Sequence, residues 1–272
     1  MPEILHIIPP ESTGGIFMSE RKKDAENMEI EGVETDTEAQ QEELEKEEKQ
    51  NEQIQDMGQL VMSGKNNGYK IELLTIIGEV EGHESAPSHN KTTKYEHVLP
   101  KLALLENNCE IDGLLILLNT VGGDVEAGLA IAEMIASLSI PTVSLVLGGG
   151  HSIGVPMAVS ADYSFAVPSA TMVIHPVRSN GMFIGVAQSY RNIEKIQDRI
   201  TSFISAHSKI TQERLEELML DTSQLVKDVG TMLEGSEAVN EGLIDELGGI
   251  REALSKLYSL IDKKRMKKVS QE

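Results

Sequence analysis

Residues 113–154 read GLLILLNTVGGDVEAGLAIAEMIASLSIPTVSLVLGGGHSIG, and this segment determines the fold class. The apolar runs Gly113–Leu118 and Thr142–Leu147 have the length of buried strands. Between them, Asp124–Ser137 carries apolar residues at helical spacing, and a second helix is predicted over Ser152–Ser160. Strands connected through helices are typical of a parallel sheet, so the sequence predicts an α/β fold.

The same alternation continues on both sides of this segment. On the N-terminal side, Lys70–Ile77 predicts a strand and Lys94–Glu106 predicts a helix. On the C-terminal side the patterns predict strands over Tyr163–Val167 and Thr171–Ile174, helices over Val186–His207, Glu237–Asn240 and Ile250–Ile261, and a turn or short strand over Leu243–Asp245.

The helix predicted over Val186–His207 is long and amphipathic. Its apolar side chains form one stripe: Tyr190, Ile193, Ile196, Ile200, Phe203 and Ile204. A stripe of this length must be covered, either by packing within its own domain or by another subunit. Helical spacing alone leaves both alternatives open.

The N-terminal residues differ in composition from the rest of the chain. Of the formal net charge of −20, residues 1–56 hold −12, with 17 acidic against 5 basic side chains. Residues 19–56 contain few apolar side chains, which favours disorder or a loosely solvated helix. We therefore expect an acidic tail over 1–56, a folded domain over 57–262 and a short basic tail over 263–272.

Composition also restricts the function classes. An acidic surface disfavours binding to a phosphate backbone, so we expect no nucleic-acid partner. Cys109 is the only cysteine, which excludes an internal disulfide, and no Cys/His pattern surrounds it, so we expect no metal or other cofactor. No apolar run approaches the roughly 20 residues that cross a bilayer, and no secretory leader is visible. The expected location is the cytoplasm.

The segment Gly148–Gly154 connects a predicted buried strand to a helix and places Ser152 at the turn. Backbone N–H groups and the helix dipole at such a turn stabilise developing negative charge. Ser152 is therefore a candidate nucleophile, with the N–H of Ile153 as an oxyanion donor. The alternative is a tight turn with Ser152 as helix N-cap, and the Gly-x-Ser-x-Gly pattern also matches the nucleophile elbow of α/β-hydrolases.

His175 ends an apolar strand 23 residues after Ser152. An imidazole beside a serine takes its proton during attack and later protonates the leaving amine, so His175 is the candidate base. His151 is the competing histidine. A side chain next to a turn serine usually points elsewhere, so we interpret His151 as a wall of the substrate pocket.

A second glycine turn follows the predicted strand Gly113–Leu118. The sequence Leu118–Asp124 contains Gly122 and Gly123, whose backbone N–H groups suit an oxyanion hole. The alternative is a strand-to-helix connection that has no role in chemistry.

Four segments in a fixed order resemble the Clp protease proteolytic-subunit (ClpP) family, and its translocation-enhancing branch in particular. They are Leu118–Gly123, Gly149–Gly154, Met172–Pro176 and Glu237–Asp245. The resemblance implies a spiral of ββα units, related to crotonases, with a long helical handle. It also implies a Ser, His, Asp triad and stacked homo-oligomeric rings that enclose the active sites.

The sequence departs from the family pattern at four places. A gapless alignment puts Gly230 at the position of the triad acid, so we expect Asp228 to orient His175, with Asp221 as the alternative. Val121 replaces the usual proline before Gly-Gly, and His151 replaces a small residue before the serine. The acidic tail replaces the segment that docks an unfolding ATPase in the family, so such a partner is unsupported.

The sequence thus predicts a serine endopeptidase, a hydrolase that cleaves peptides or unfolded proteins inside a ring, either without ATP or with a chaperone. The branch suggests a role in protein export. Val177 and Arg178 begin a segment, extending to Gly185, that we expect to lie beside the substrate as an added strand. Two alternatives stay open, a crotonase-type acyl-CoA enzyme and a catalytically weak ring scaffold.

Overall fold

The computed structural model describes residues 60–63, 68–178, 185–223 and 229–270 of the chain. The strands are β1 (Leu60–Ser63), β2 (Lys70–Glu81), β3 (Thr92–Lys94), β4 (Gly113–Gly123), β5 (Thr142–Gly150), β6 (Tyr163–Ala166), β7 (Thr171–Ile174), β8 (Thr231–Glu234) and β9 (Glu246–Leu247). The helices are α1 (Tyr95–Glu106), α2 (Val125–Ala136), α3 (Gly154–Val159), α4 (Val186–Ala206), α5 (Gln212–Leu220), α6 (Gly235–Asn240) and α7 (Ile250–Val269).

The main sheet has the order β1-β2-β4-β5-β6-β9, with β3 added beside β2. β1 runs antiparallel to β2, whereas β2, β4, β5, β6 and β9 run parallel to their neighbours. Parallel neighbours require crossover connections, and α1, α2 and α3 lie in the successive connections from β2 to β6. The predicted parallel α/β arrangement is therefore confirmed.

Strand β4 is buried on both faces. Leu114, Ile116 and Leu118 belong to the core that includes α1 and α2. Leu115 belongs to a second core beneath α7, and the partly buried Leu117 packs against that core. Successive side chains of a strand point to opposite faces, so two covered faces require a continuous apolar run. This is why the strand reads as unbroken leucine and isoleucine.

Strands β7 and β8 form a small antiparallel pair beside the main sheet. β7 joins β5 through one register pair, Gly149 with Thr171. The strand that leads to His175 therefore meets the glycine turn before Ser152 at a single register position.

Three elements around the glycine turns differ in length from the prediction. β4 extends to Gly123 because its glycines keep pairing with β2, and β5 extends to Gly150, which pairs with Thr120. α3 begins at Gly154 instead of Ser152, because Ser152 has a φ of 56°, outside the helical region.

Helix α7 continues past the predicted end at Ile261 to Val269, so the basic residues expected in a C-terminal tail are helical up to that point. Arg265 forms an ion pair with Asp112, and Lys264 donates to the carbonyl of Ser139. These contacts attach the polar end of the helix to the loops at the start of β4 and β5.

Three predictions concern residues outside those that the structure describes: the acidic tail over 1–56, most of the expected substrate segment (179–184), and Asp228. Within the described part of the chain, no helix combines the length and the apolar character that crossing a bilayer requires.

Candidate active site

Ser152 lies in the turn between β5 and α3. Its φ of 56° makes it the one non-glycine residue with positive φ among the described residues. Its N–H donates to the carbonyl of Val173 (2.8 Å), and its carbonyl accepts the N–H of Val155 (3.0 Å). Such a left-handed residue costs about 1–3 kcal/mol, and the surrounding hydrogen bonds hold it in place.

The N–H of Ile153 is available to a ligand. It has no acceptor among the residues that the structure describes, whereas the N–H of Gly154 donates to the carbonyl of His151 (2.8 Å). The side chain of Ile153 is buried in the main core, which fixes the direction of its backbone. A free N–H directly after a turn serine is the arrangement found in oxyanion holes.

Gly122 lies directly against Ser152. Its φ is 91°, and a Cβ added there would lie 2.7 Å from Cβ of Ser152, so the position requires glycine. The N–H of Gly122 donates to Oγ1 of Thr120 (3.0 Å), and that hydroxyl donates to the carbonyl of Gly78 (2.6 Å). The N–H of Gly122 is therefore occupied within the turn.

The N–H of Gly123 has a different direction. Gly123 pairs in register with Val80, and the N–H of Asp124 donates to the carbonyl of Val80 (2.9 Å). Along a strand, successive N–H groups point to opposite sides, so that of Gly123 points away from β2. Gly123 also lines the cavity that contains Ser152.

His175 follows β7 and is half-buried. It lines the same cavity as Ser152, with a volume of about 210 Å³. Its Nδ1 lies 2.7 Å from the carbonyl oxygen of Pro176. A carbonyl oxygen can only accept, so this hydrogen bond assigns the proton to Nδ1 and leaves Nε2 as the basic nitrogen.

The walls of this cavity are mainly aliphatic: Val125, Ile153, Val155, Ile174, Ile200, Ile204 and Met219. Val177 and Arg178 line the cavity and also an adjoining groove of about 400 Å³ that passes Ser189 and Asn192 on α4. The N–H of Val177 faces Oε1 of Gln197 at 3.4 Å. The arrangement suits an apolar side chain in the cavity and an extended chain along the groove.

The two candidate acids differ in position. The carboxylate of Asp221 accepts the backbone N–H (2.7 Å) and the hydroxyl (2.9 Å) of Ser223, and the backbone hydrogen bond lowers the pKa of Asp221. Asp221 lines a different pocket from Ser152. Gly230, which the sequence predicts to align with the family's acid, packs against His175, and Asp228 lies outside the described residues.

His151 is not among the residues that line the cavity. Its Nε2 lies 2.9 Å from Oγ1 of Thr171, and its ring packs against Gly149. Burial and, to a smaller extent, the charge of His175 lower the pKa of His151. The imidazole is therefore directed to β7 instead of forming the expected pocket wall.

Three polar side chains that support the turns were not singled out from the sequence. Oδ1 of Asn119 accepts the N–H of Gly149 (2.9 Å), Thr120 connects Gly122 to Gly78, and Thr171 contacts His151. Asn119 and Thr120 stand where an apolar strand run ends before glycines, and this change in polarity is the signal that marks them.

Comparisons with known proteins agree with this architecture. The Clp protease family model matches residues 83–251. The translocation-enhancing protein TepA of Halalkalibacterium halodurans is 54% identical over 214 residues, which cover 79% of this chain and 83% of that protein. A mutant ClpP1 from Listeria monocytogenes superposes with a TM-score of 0.54 and 23% identity, over 67% of this chain and 94% of that chain.

Fold and comparisons together define an α/β protein with the ClpP fold, as the sequence predicted. The chain belongs to the Clp protease family.

Proposed function

We propose that the chain is a serine endopeptidase in which Ser152 is the nucleophile and His175 the general base. The observation that carries this proposal is that both residues line one cavity, with Ser152 held at positive φ and Nε2 of His175 left as the basic nitrogen. A serine hydroxyl becomes a useful nucleophile only when a neighbouring base removes its proton. The shared cavity supplies that neighbour.

In the proposed reaction, Oγ of Ser152 attacks the scissile carbonyl while Nε2 of His175 takes the hydroxyl proton. The C–N bond then breaks, and His175 gives this proton to the leaving amine, which leaves an ester on Ser152. Water, deprotonated by His175, attacks the ester and releases the acid product together with the free serine.

The oxyanion formed during attack would be bound by the backbone N–H groups of Ile153 and Gly123. Both residues line the cavity, and neither N–H is used by the contacts described above. Gly122 is proposed to keep the turn close to Ser152, since its own N–H is bonded to Thr120. Loss of one such donor typically lowers the rate about 10²- to 10³-fold.

The proposed site also contains an orienting carboxylate and residues that bind the substrate. Asp228, two residues before the glycine that packs on His175, is proposed as the orienting carboxylate. Val177 and Arg178 are proposed to bind the substrate, because they line both the cavity and the adjoining groove. An extended peptide or a segment of an unfolded protein would lie along this groove.

We further propose that the chain acts as a homo-oligomer in the cytoplasm. The buried residues of α4 lie only in its C-terminal half, whereas Val186 and Tyr190 are 82% and 67% exposed. An exposed apolar surface of this kind supports a subunit contact. The Halalkalibacterium relative is named for enhancing translocation, and this motivates the proposal that the activity of this chain supports protein translocation.

A fluorophosphonate probe on the purified full-length protein tests the proposed chemistry. We expect one adduct, located on Ser152 by mass spectrometry, and no adduct in Ser152→Ala or His175→Ala. Ser160→Ala is the matched control, because Ser160 is the C-cap residue that follows α3 and its hydroxyl donates to the carbonyl of Met157 (2.8 Å). An unlabelled wild-type protein would contradict the proposal, and binding of acyl-CoA by that protein would favour the crotonase-type alternative.

A catalytically weak ring scaffold is the second candidate function. The packing of Gly230 on His175 favours it, because the family position of the acid carries no carboxylate here. Native mass spectrometry combined with complementation separates the two candidates. A Ser152→Ala protein that assembles and retains cellular function would establish the scaffold.

A further inference from the structure

The serine turn and the strand that carries His175 meet over a small contact. β5 and β7 share one register pair, Gly149 with Thr171. Beyond it, the N–H of Ser152 donates to the carbonyl of Val173 (2.8 Å). Few backbone bonds therefore fix the nucleophile relative to the base.

A side-chain contact reinforces this junction. Nε2 of His151 lies 2.9 Å from Oγ1 of Thr171. His151 directly precedes Ser152 in the sequence, and Thr171 lies four residues before His175. The ring packs on Gly149, where an added Cβ would lie 3.1 Å from Cε1 and 3.2 Å from Nε2 of His151. The contact thus bridges the two segments that bear the proposed nucleophile and base.

We propose that His151 and Thr171 are positioning residues that hold the Ser152 turn in register with the strand that presents His175. This inference rests on the proposed function, since it concerns the geometry of the same two residues. A misplacement of reacting groups by about 1 Å costs roughly 10²-fold in rate, so one hydrogen bond at a narrow junction has a large effect on catalysis.

The chemistry of the two side chains suits this role. A neutral imidazole and a hydroxyl can each donate or accept, so the hydrogen bond forms in either sense. Burial lowers the pKa of His151, which favours the neutral ring. A small residue at position 151 has no atom that reaches Thr171, so the contact is a property of this chain's histidine.

The test measures the rate of fluorophosphonate labelling at Ser152, and kcat and KM for a peptide substrate. Thr171→Val keeps the shape of the side chain and removes the hydroxyl, whereas Thr171→Ser keeps the hydroxyl. We expect labelling and kcat to fall about 10-fold or more in Thr171→Val and in His151→Ala, with KM within about twofold of wild type. Thr171→Ser is expected to stay close to wild type.

The double variant separates positioning from general damage. Because both substitutions break the same contact, His151→Ala with Thr171→Val should be no slower than the slower single variant. Thr142→Val is the control, since this buried hydroxyl at the other end of β5 accepts the N–H of Asp162 (2.8 Å) far along the strand from Ser152. It should lower the melting temperature and leave labelling unchanged.

Distinct outcomes contradict the inference and the function. Labelling of Thr171→Val and His151→Ala at the wild-type rate, or strictly additive losses, would overturn the positioning role while the peptidase stands. Absence of labelling in the wild type would overturn the peptidase, and the positioning role with it. If Thr171→Val does not fold, the labelling rates of His151→Ala and His151→Gln test the positioning role. Glutamine can still reach the hydroxyl of Thr171, so His151→Gln should be faster than His151→Ala, and equal rates would contradict the role.

Discussion

Gly230 lies directly against His175. A Cβ added at residue 230 would fall 2.9 Å from Cβ of His175 and would overlap the carbonyl oxygen of Ile174. The φ of Gly230 is 130°, a conformation that favours glycine. Residue 230 is therefore a packing position beside His175 that favours glycine, and it supplies no carboxylate to orient the imidazole.

Gly230→Ala should consequently disturb both stability and labelling. The added methyl group must displace the backbone next to His175, so we expect a loss of about 2 kcal/mol or more in the free energy of unfolding and a large fall in the labelling rate of Ser152. Gly68→Ala is the matched control, because Gly68 also has positive φ (67°) but no atoms within 4 Å of an added Cβ. Normal labelling in Gly230→Ala would contradict the contact with His175.

The orienting acid is tested by a pair of isosteric substitutions. Asp228→Asn should slow labelling by about 10²- to 10⁴-fold if this carboxylate orients His175. Asp221→Asn should change labelling little, because its carboxylate is bonded to Ser223 and lines another pocket. The labelling rate of both variants is measured by stopping the fluorophosphonate reaction at a series of times and recording the intact mass.

A wild-type rate in Asp228→Asn would remove Asp228 from the proposed mechanism. The carbonyl of Pro176, 2.7 Å from Nδ1 of His175, would then be the acceptor that fixes the imidazole. In that case Asp221→Asn should again be neutral, which distinguishes a backbone acceptor from a second carboxylate.

The sequence predicts the central sheet well because the burial of each strand is visible in the strand's own residues. β4 needs apolar side chains on both faces, and that requirement appears directly as an unbroken run ending in glycines. The turn that holds Ser152 is predicted for the same reason, since the sequence places it between a strand and a helix, and the structure has it between β5 and α3. The positive φ of Ser152 was not predicted, and it explains why α3 begins two residues late.

Contacts between distant residues are the part that the sequence does not reveal. The C-terminal extension of α7 is held by the contact between Arg265 and Asp112, which lies 153 residues earlier in the sequence. No local sequence pattern predicts that pair. The surroundings of Asp221 were also open from the sequence, although its contact is local. Its carboxylate is bonded to Ser223 and lines a pocket other than that of Ser152, and only the three-dimensional structure shows both.

The lowered pKa of His151 predicts a pH effect on stability. Burial and then the charge of His175 lower this pKa below its ordinary value of 6.5. The folded protein therefore binds this proton less readily than the unfolded chain does. The stability associated with a neutral His151 is fully present above pH 6.5 and is lost as the pH falls through the folded-state pKa.

Two measurements check this effect. NMR titration of labelled histidines should show that His151 titrates below 6.5, and that its pKa rises in His175→Gln but stays depressed, because burial is the larger cause. Urea unfolding should show a smaller loss of stability between pH 7 and pH 5 in His151→Gln than in wild type. An equal loss in both proteins would contradict the assignment.

The strained conformation of Ser152 predicts that glycine is a more stable replacement at this position than alanine. A residue with a Cβ at φ 56° is penalised by about 1 kcal/mol or more relative to glycine, so Ser152→Gly should be more stable than Ser152→Ala by about 1 kcal/mol. Ser160 provides the opposite comparison, because its φ is −72° and both of its variants lose the same bond to Met157. There, glycine should be the less stable variant. Urea unfolding at one protein concentration measures both differences, and an equal or greater stability of Ser152→Ala would show that the turn stores no strain at the nucleophile.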